Sequence, residues 1–231
     1  MSSLPPPPIP VSDNLEAPPL PRRFPDDSWE MAAARTGARV VVGMDEVGRG
    51  PWAGPVVACV ARLIGPMPEG LNDSKKLSEK RRTAMRPLLA QCCQHAYGEA
   101  TPDEIDRLNI RQATHLAMRR AAEAFEQEHG LRIDHFLIDG RDRPGWLADE
   151  RWAGRPHDLI VGGDAASLSI AAASVLAKTR RDRDMVALAQ QHPGYGWERN
   201  KGYGTPEHRV GLKCHGVTPH HRRSFRPIHN M

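Results

Sequence analysis

The stretch from Val40 to Pro55, VVVGMDEVGRGPWAGP, ends a valine-rich run with Asp45 and Glu46 and then turns through Gly48-Arg49-Gly50. Adjacent carboxylates repel, and two glycines in one turn carry an entropic cost, so a purely structural turn needs neither. Two more apolar runs also end in an acid: HFLIDG at Asp139 and DLIVGGD at Asp164. Taken singly, each has an ordinary explanation, as a turn residue, a helix cap or a charged turn. Three separate strand ends with the same feature predict that the four acids converge. Such a cluster is destabilising unless a hard divalent cation relieves it, and Mg²⁺ favours one or two carboxylates plus water and phosphate oxygens. The chemistry this serves is phosphodiester hydrolysis with two cations about 4 Å apart, one activating water and one stabilising the leaving oxygen. Neighbours in a strand face opposite sides, so Asp45 and Glu46 share one site only if the strand ends or bulges there.

The elements that must position these acids read as alternating strands and helices. RVVVGM and PVVACVARL are valine-rich and joined by the glycine turn, which predicts a hairpin. Ser78 caps a helix running toward Gln94, with Glu79 in its first turn and Pro87 placed to kink or split it. HAYGEA supplies a third strand. Thr101-Pro102-Asp103-Glu104 forms a capping box, after which Ile110, Ala113, Ala117, Ala121 and Phe125 recur at helical spacing. HFLIDG and DLIVGGD read as buried parallel strands, and a long helix follows from about Ser167 to Gln190. The pattern is an α/β fold with a central mixed sheet, whose sites form beyond the carboxyl ends of the strands.

Nine prolines fall in the first 25 residues, so residues 1–37 read as a proline-rich disordered tail and residues 38–229 as one folded domain. A replication or repair partner could dock on such a tail. No run approaches the roughly 20 apolar residues of a membrane helix, and MSSLPPPPIP lacks the features of a secretory signal, so a cytoplasmic protein is expected. The mean hydropathy of −0.55 fits that class. Cys59, Cys92, Cys93 and Cys214 have no C-x-x-C spacing, and His215, His220 and His221 match no structural zinc pattern. From Lys178 to Arg226 there are eleven Lys or Arg against four acids, with Tyr195, Trp197 and Tyr203 interleaved, as on a polyanion-binding face. A monomer is expected.

The motifs MDEVGRGPWAGPVV, LNDSKKLSEKRR, LNIRQATHLAM, LIDG, GGDAASLSIAAASVLAK, PGYGWERNKGYGTPEH and HHRRSFRP follow one another in the order of the bacterial ribonuclease HII (type 2 ribonuclease H) family. The chain resembles that family from about residue 40 to residue 227. The resemblance implies a ribonuclease H-like fold with a C-terminal helical extension from about residue 191. It implies an endonuclease, dependent on Mg²⁺ or Mn²⁺ with two ions per site, that degrades the RNA strand of RNA–DNA hybrids. It also implies incision of DNA duplexes 5′ to embedded ribonucleotides, leaving 3′-hydroxyl and 5′-phosphate ends.

By the same resemblance, Asp45, Glu46, Asp139 and Asp164 are the catalytic and metal-binding acids. Gly48, Arg49 and Gly50 hold the ribonucleotide, where bare backbone can reach the 2′-hydroxyl. Tyr203 of KGYGT corresponds to the junction-sensing tyrosine, and Lys75 and Lys76 to a phosphate-contacting pair. Ser167, Ser174 and Lys178 are placed to line the groove. The chain departs from the pattern at Gly162, where the family usually has lysine, and at Trp52, where it usually has an aliphatic residue without expected consequence. A binding module that has lost catalysis would not need all four acids. A DNA-only cutter such as a junction resolvase would need neither the Gly-Arg-Gly turn nor Tyr203.

Overall fold

The computed structural model describes residues 24–229 and Met231. β1 (Val41–Val47) and β2 (Val56–Leu63) form the expected antiparallel hairpin, and β3 (Cys93–Ala100) adds antiparallel to β2. On the other side β4 (His135–Asp139) runs parallel to β1 and β5 (His157–Ile160) parallel to β4, giving the order β3-β2-β1-β4-β5. This is the mixed sheet that the strand pattern predicts.

Alternation along the strands feeds two cores. Val40, Val42 and Met44 pack with Phe136 and Ile138 against Ala113, Ala117, Ala121 and Phe125 of α4 (Ile110–His129), the residues its spacing selects. On the opposite face, Cys59 and Ala61 meet Ala171–Ala177 of α5 (Leu168–Gln191). Gly43 marks the crossing of β1 and α5. A Cβ there would stand 2.2 Å from the Ser169 carbonyl carbon, so only glycine lets the two backbones approach.

Three local expectations are revised. The tail assigned to residues 1–37 ends sooner, because α1 (Ser28–Arg35) is formed and packs on the start of α5; residues 1–23 lie outside the described residues. The Glu30 carboxylate of α1 accepts from Ser167 Oγ (2.6 Å), Ser169 N (2.8 Å) and Ser169 Oγ (2.6 Å), so it caps α5 from another element. The last proline of the tail is Pro25, and the composition turns helical just after it. Secondly, α2 (Glu79–Cys92), capped by Ser78, stays one helix through Pro87. Its buried Met85 and Leu89 tie it to the sheet, and that packing outweighs the lost backbone bond. Thirdly, β5 is an edge strand, only partly buried, and the exposed Val161 ends it three residues before Asp164.

The Thr101 capping box starts α3 (Pro102–Leu108), and Asn109 at φ +68° separates it from α4. Beyond α5 come α6 (Trp197–Asn200), α7 (Pro206–His215) and α8 (Arg226–His229). They enclose a third core of Met185, Tyr195, Trp197, Leu212 and Ile228 against the end of α5.

Candidate active site

The parallel register of β1 and β4 runs to Met44↔Ile138, so Asp45 and Asp139 leave the sheet side by side. Asp164 lies just beyond β5 in a 3-10 turn (Gly163–Ala165), entered through Gly162 at φ +68°. It is therefore not a strand end, as the apolar run suggested. The turn is docked on β4, because Gly163 N–H donates to Asp139 Oδ1 at 2.7 Å. Asp45 and Asp164 are each only 6% exposed.

Of the two conditions for Asp45 and Glu46 to share a site, a strand end or a bulge, the bulge is absent: the register with β2 continues through Asp45↔Cys59, Glu46↔Ala58 and Val47↔Val57. Asp45 faces α5, with Ser174 beside it. Glu46 faces the α4 side and lines a cavity of about 500 Å³ with Asp139, Arg49, Arg111, His115 and Asp142. Where β1 outruns β4, the charges of Glu46 and Asp139 bear on Asp45, and that of Asp139 on Glu46.

Burial followed by the charges of Glu46 and Asp139 holds the Asp45 carboxyl well above its ordinary range. Burial raises Glu46 as well, against the opposing Arg49 guanidinium, whose Nη1 donates to Glu46 Oε1 at 3.2 Å. Asp139 is raised by burial despite N–H bonds from Gly163, Gly140 and Asp164. Asp164 is pushed up to about 6 by burial, then by Asp139 and Asp73. Burial works against the charge of Lys75, yet Asp164, Asp45, Asp73 and Asp139 together hold its ammonium above the ordinary value. The acids thus repel one another across a shared space, and Lys75 is drawn into it. Lys76, by contrast, lines a different cleft with Phe24, Asn72 and Arg81.

The glycine turn is built by groups that its own sequence does not announce. Gly48 has φ +93°, where a side chain is strained, and a Cβ there would meet Arg181 and the Pro55 carbonyl. Two fully buried arginines gather the carbonyls of this loop. Arg222 donates to Gly48 O (2.5 Å), Arg49 O (2.9 Å) and Gly54 O (3.0 Å). Arg181 donates to Ala53 O (3.0 Å), Pro55 O (2.9 Å) and Lys201 O (3.0 Å). Burial lowers Arg181 to about 10, and burial with the neighbouring Arg181 lowers Arg222 to about 9. Both remain cations near neutrality, so two of the eleven basic residues read as surface are interior clamps. The second loop, with Tyr203 47% exposed, lies alongside: a Cβ on Gly50 would be 3.4 Å from Tyr203 Cε1.

Asp73, Arg181 and Arg222 are site residues that sequence reasoning missed. Asp73 was legible as the acid before Lys75, but nothing in spacing marks an arginine as interior. Ser167 does not line the groove; it caps α5 and bonds Glu30, while Lys178 pairs with Asp182 at 2.6 Å. Ser174 donates to Ser74 Oγ at 2.9 Å beside Asp45. Trp52 is not neutral either, since its ring fills the space over Gly204.

Solved structures resemble the fold. A ribonuclease H2 from Pyrococcus horikoshii superposes with TM-score 0.66 at 24% identity, covering 82% of this chain and 95% of that one. A Bst ribonuclease HIII, described in complex with Mn²⁺, gives TM-score 0.68 at 20% identity, covering 85% and 70%. A ribonuclease HII described in complex with PCNA from Archaeoglobus fulgidus gives 0.64 at 24%, covering 79% and 93%. The architecture is thus the ribonuclease H-like fold. The family model for ribonuclease HII matches residues 42–228. A ribonuclease HII of Paracoccus denitrificans is 56% identical over 209 residues, 90% of this chain and 95% of its own length. One from Ruegeria pomeroyi is 52% identical over 208 residues, 90% and 85%. The chain belongs to the ribonuclease HII family, and it is an endonuclease of the hydrolase class.

Proposed function

We propose that this enzyme cuts the RNA strand of RNA–DNA hybrids and incises DNA duplexes 5′ to embedded ribonucleotides, leaving 3′-hydroxyl and 5′-phosphate ends. The observation that carries the reading is the convergence of Asp45, Glu46 and Asp164 on Asp139, where burial raises all four carboxyls and the Asp139 charge raises the other three further.

The donor set fits Mg²⁺ or Mn²⁺, being all oxygen and in excess of negative charge. Among the described residues, no three acid, imidazole or thiol groups already stand close enough to enclose an ion. Several of the acids are instead engaged by the protein's own donors, as Asp45 Oδ1 by Glu46 N (2.7 Å) and Asp139 Oδ1 by Gly163 N. That suits a site completed by phosphate oxygens and water. Two bound divalent cations would supply the activated water and the charge to stabilise the leaving 3′-oxygen. Asp45 and Asp164, with Asp139 and Glu46, would hold them. A solved ribonuclease HIII of the same fold is described in complex with Mn²⁺, which supports a divalent cation here.

The chain's own groups then orient the substrate. Lys75 faces the acids and would grip a phosphate there, and Lys76 would contact the backbone from the neighbouring cleft. Gly48 and Gly50 keep the loop free of side chains, so that its backbone can reach a 2′-hydroxyl. Arg49 would exchange Glu46 for a phosphate oxygen. The exposed Tyr203 ring would stack on the next deoxyribose, where a 2′-oxygen would clash.

The proposal extends to a monomeric enzyme that works in the cytoplasm beside replication and repair proteins. No helix among the described residues is long and apolar enough to cross a membrane. The tail expected to carry such a partner is mostly residues 1–23, outside the described residues.

The test is a labelled DNA duplex holding one ribonucleotide, incubated with Mg²⁺ or Mn²⁺ beside an all-DNA duplex and a long hybrid. A single cut 5′ to the ribonucleotide, lost with EDTA and in Asp45→Asn, is expected. Cutting of the long hybrid alone would remove the junction reading and leave the hydrolytic one standing.

A further inference from the structure

The loop that carries Tyr203 is held carbonyl by carbonyl from three other elements. Lys201 O accepts from Arg181 of α5, and Gly202 O from the Trp52 N–H of the glycine loop at 2.8 Å. Tyr203 O lies 3.0 Å from Nδ1 of His208, a fully buried residue of α7. A carbonyl can only accept, so the His208 hydrogen sits on Nδ1 and its Nε2 must accept. Two donors converge there at 3.1 Å: Trp197 Nε1–H and His221 Nε2. His221 is fixed from its other side, because Thr218 N–H donates to its Nδ1 at 2.9 Å, which leaves its hydrogen on Nε2. The two donors share the one lone pair of His208 Nε2, and both rings are neutral, since burial lowers both and takes His221 down to about 4.

The residue after His221 is Arg222, whose guanidinium holds Gly48 and Arg49. One dipeptide of the C-terminal segment therefore reaches both loops, the glycine turn directly and the Tyr203 loop through His208. Trp52 closes the arrangement, its ring 5.6 Å from that of His208 and packed on Gly204.

We propose that the His208–His221 pair is a positioning device for Tyr203, two imidazoles of fixed tautomer that transmit the seat of Thr218–Arg222 to the backbone of the junction-sensing residue. The inference rests on the reading of Tyr203 given above. Neither histidine touches substrate; both act by setting the distance between Tyr203 and the glycine turn. Selectivity for a junction depends on that distance, whereas hydrolysis at the acids does not.

The experiment compares kcat/KM on the single-ribonucleotide duplex with kcat/KM on a long hybrid. His208→Gln carries its amide near Nε2 and loses the Nδ1–H donor, and the junction-to-hybrid ratio should fall about fivefold to tenfold, the worth of one buried hydrogen bond. His208→Asn places its amide near Nδ1 and should recover most of that ratio. In a Tyr203→Ala background, His208→Gln should lower the ratio no further. An equal fall on both substrates, or an undiminished extra fall in the Tyr203→Ala background, would overturn the proposal. Should Tyr203→Ala itself leave the ratio unchanged, the junction reading of Tyr203 is wrong and the proposal falls with it; a ratio that responds to Tyr203→Ala and not to His208→Gln sinks the proposal alone. If His208→Gln does not fold, nitrogen-15 shifts of the unaltered enzyme decide the matter. His208 should be protonated on Nδ1 and His221 on Nε2, and the reverse tautomers would rule the device out.

Discussion

At the level of single residues, the acids are a liability until they are neutralised. Asp164 has an unfolded pKa near 3.8 and a folded one of about 6, because burial and Asp139 disfavour its charge. The folded state therefore binds this proton more tightly than the unfolded chain. The advantage is fully present below pH 4 and is lost as pH rises through 6, so the metal-free enzyme carries the cost at neutrality. Asp164→Asn should stabilise the metal-free protein at pH 7 by about 2 kcal/mol while abolishing cleavage. Thermal melts as a function of pH check this: the difference from the unaltered chain should close by pH 4. Added Mg²⁺ should raise the melting temperature of the parent more than that of the variant. Asp45, Glu46, Asp139 and Asp164 were all legible in the sequence, because each follows an apolar run. Arg181 and Arg222 were not, since what makes them matter is burial and the company of distant carbonyls.

At the level of elements, the strands and helices were readable from periodicity, and the misses have tertiary causes. α2 survives Pro87 because Met85 and Leu89 are buried against the sheet. The proline is exposed and faces no partner that would resent its removal, so Pro87→Ala should gain about 1–3 kcal/mol by restoring a backbone bond and helix propensity. Chemical denaturation would measure it, and a loss of stability would mean that the helix depends on the proline. α1 was hidden by the prolines before it, and its role is visible only where Glu30 meets Ser167 and Ser169. Glu30→Ala should cost about 1–2 kcal/mol by uncapping α5. Because that end of α5 follows the Asp164 turn, cleavage should fall more than hybrid binding does. Equal losses in both would assign Glu30 a purely structural part.

Across the whole molecule, the sheet and the turn after β5 supply the acids, and the C-terminal segment orders the Gly48–Gly50 and Tyr203 loops. Arg222 serves three carbonyls of the glycine turn from inside the protein, and no other side chain can replace a planar five-donor group there. Arg222→Met should destabilise by roughly 3 kcal/mol or more, as unpartnered buried carbonyls do, and should scatter the Gly48–Gly50 loop. Amide hydrogen exchange would report the loop, with faster exchange at Gly50 and Tyr203 than in β1 and β4. Uniform protection in the variant would mean that the loop holds its shape unaided.

The four acids all precede α5, whereas Arg222, which holds Gly48 and Arg49 beside them, lies 173 residues beyond the turn it grips. A domain of this size folds as a unit, so those bonds close only when distant parts of the chain have met. The order of the glycine turn is therefore a built-in report on whether the fold is whole.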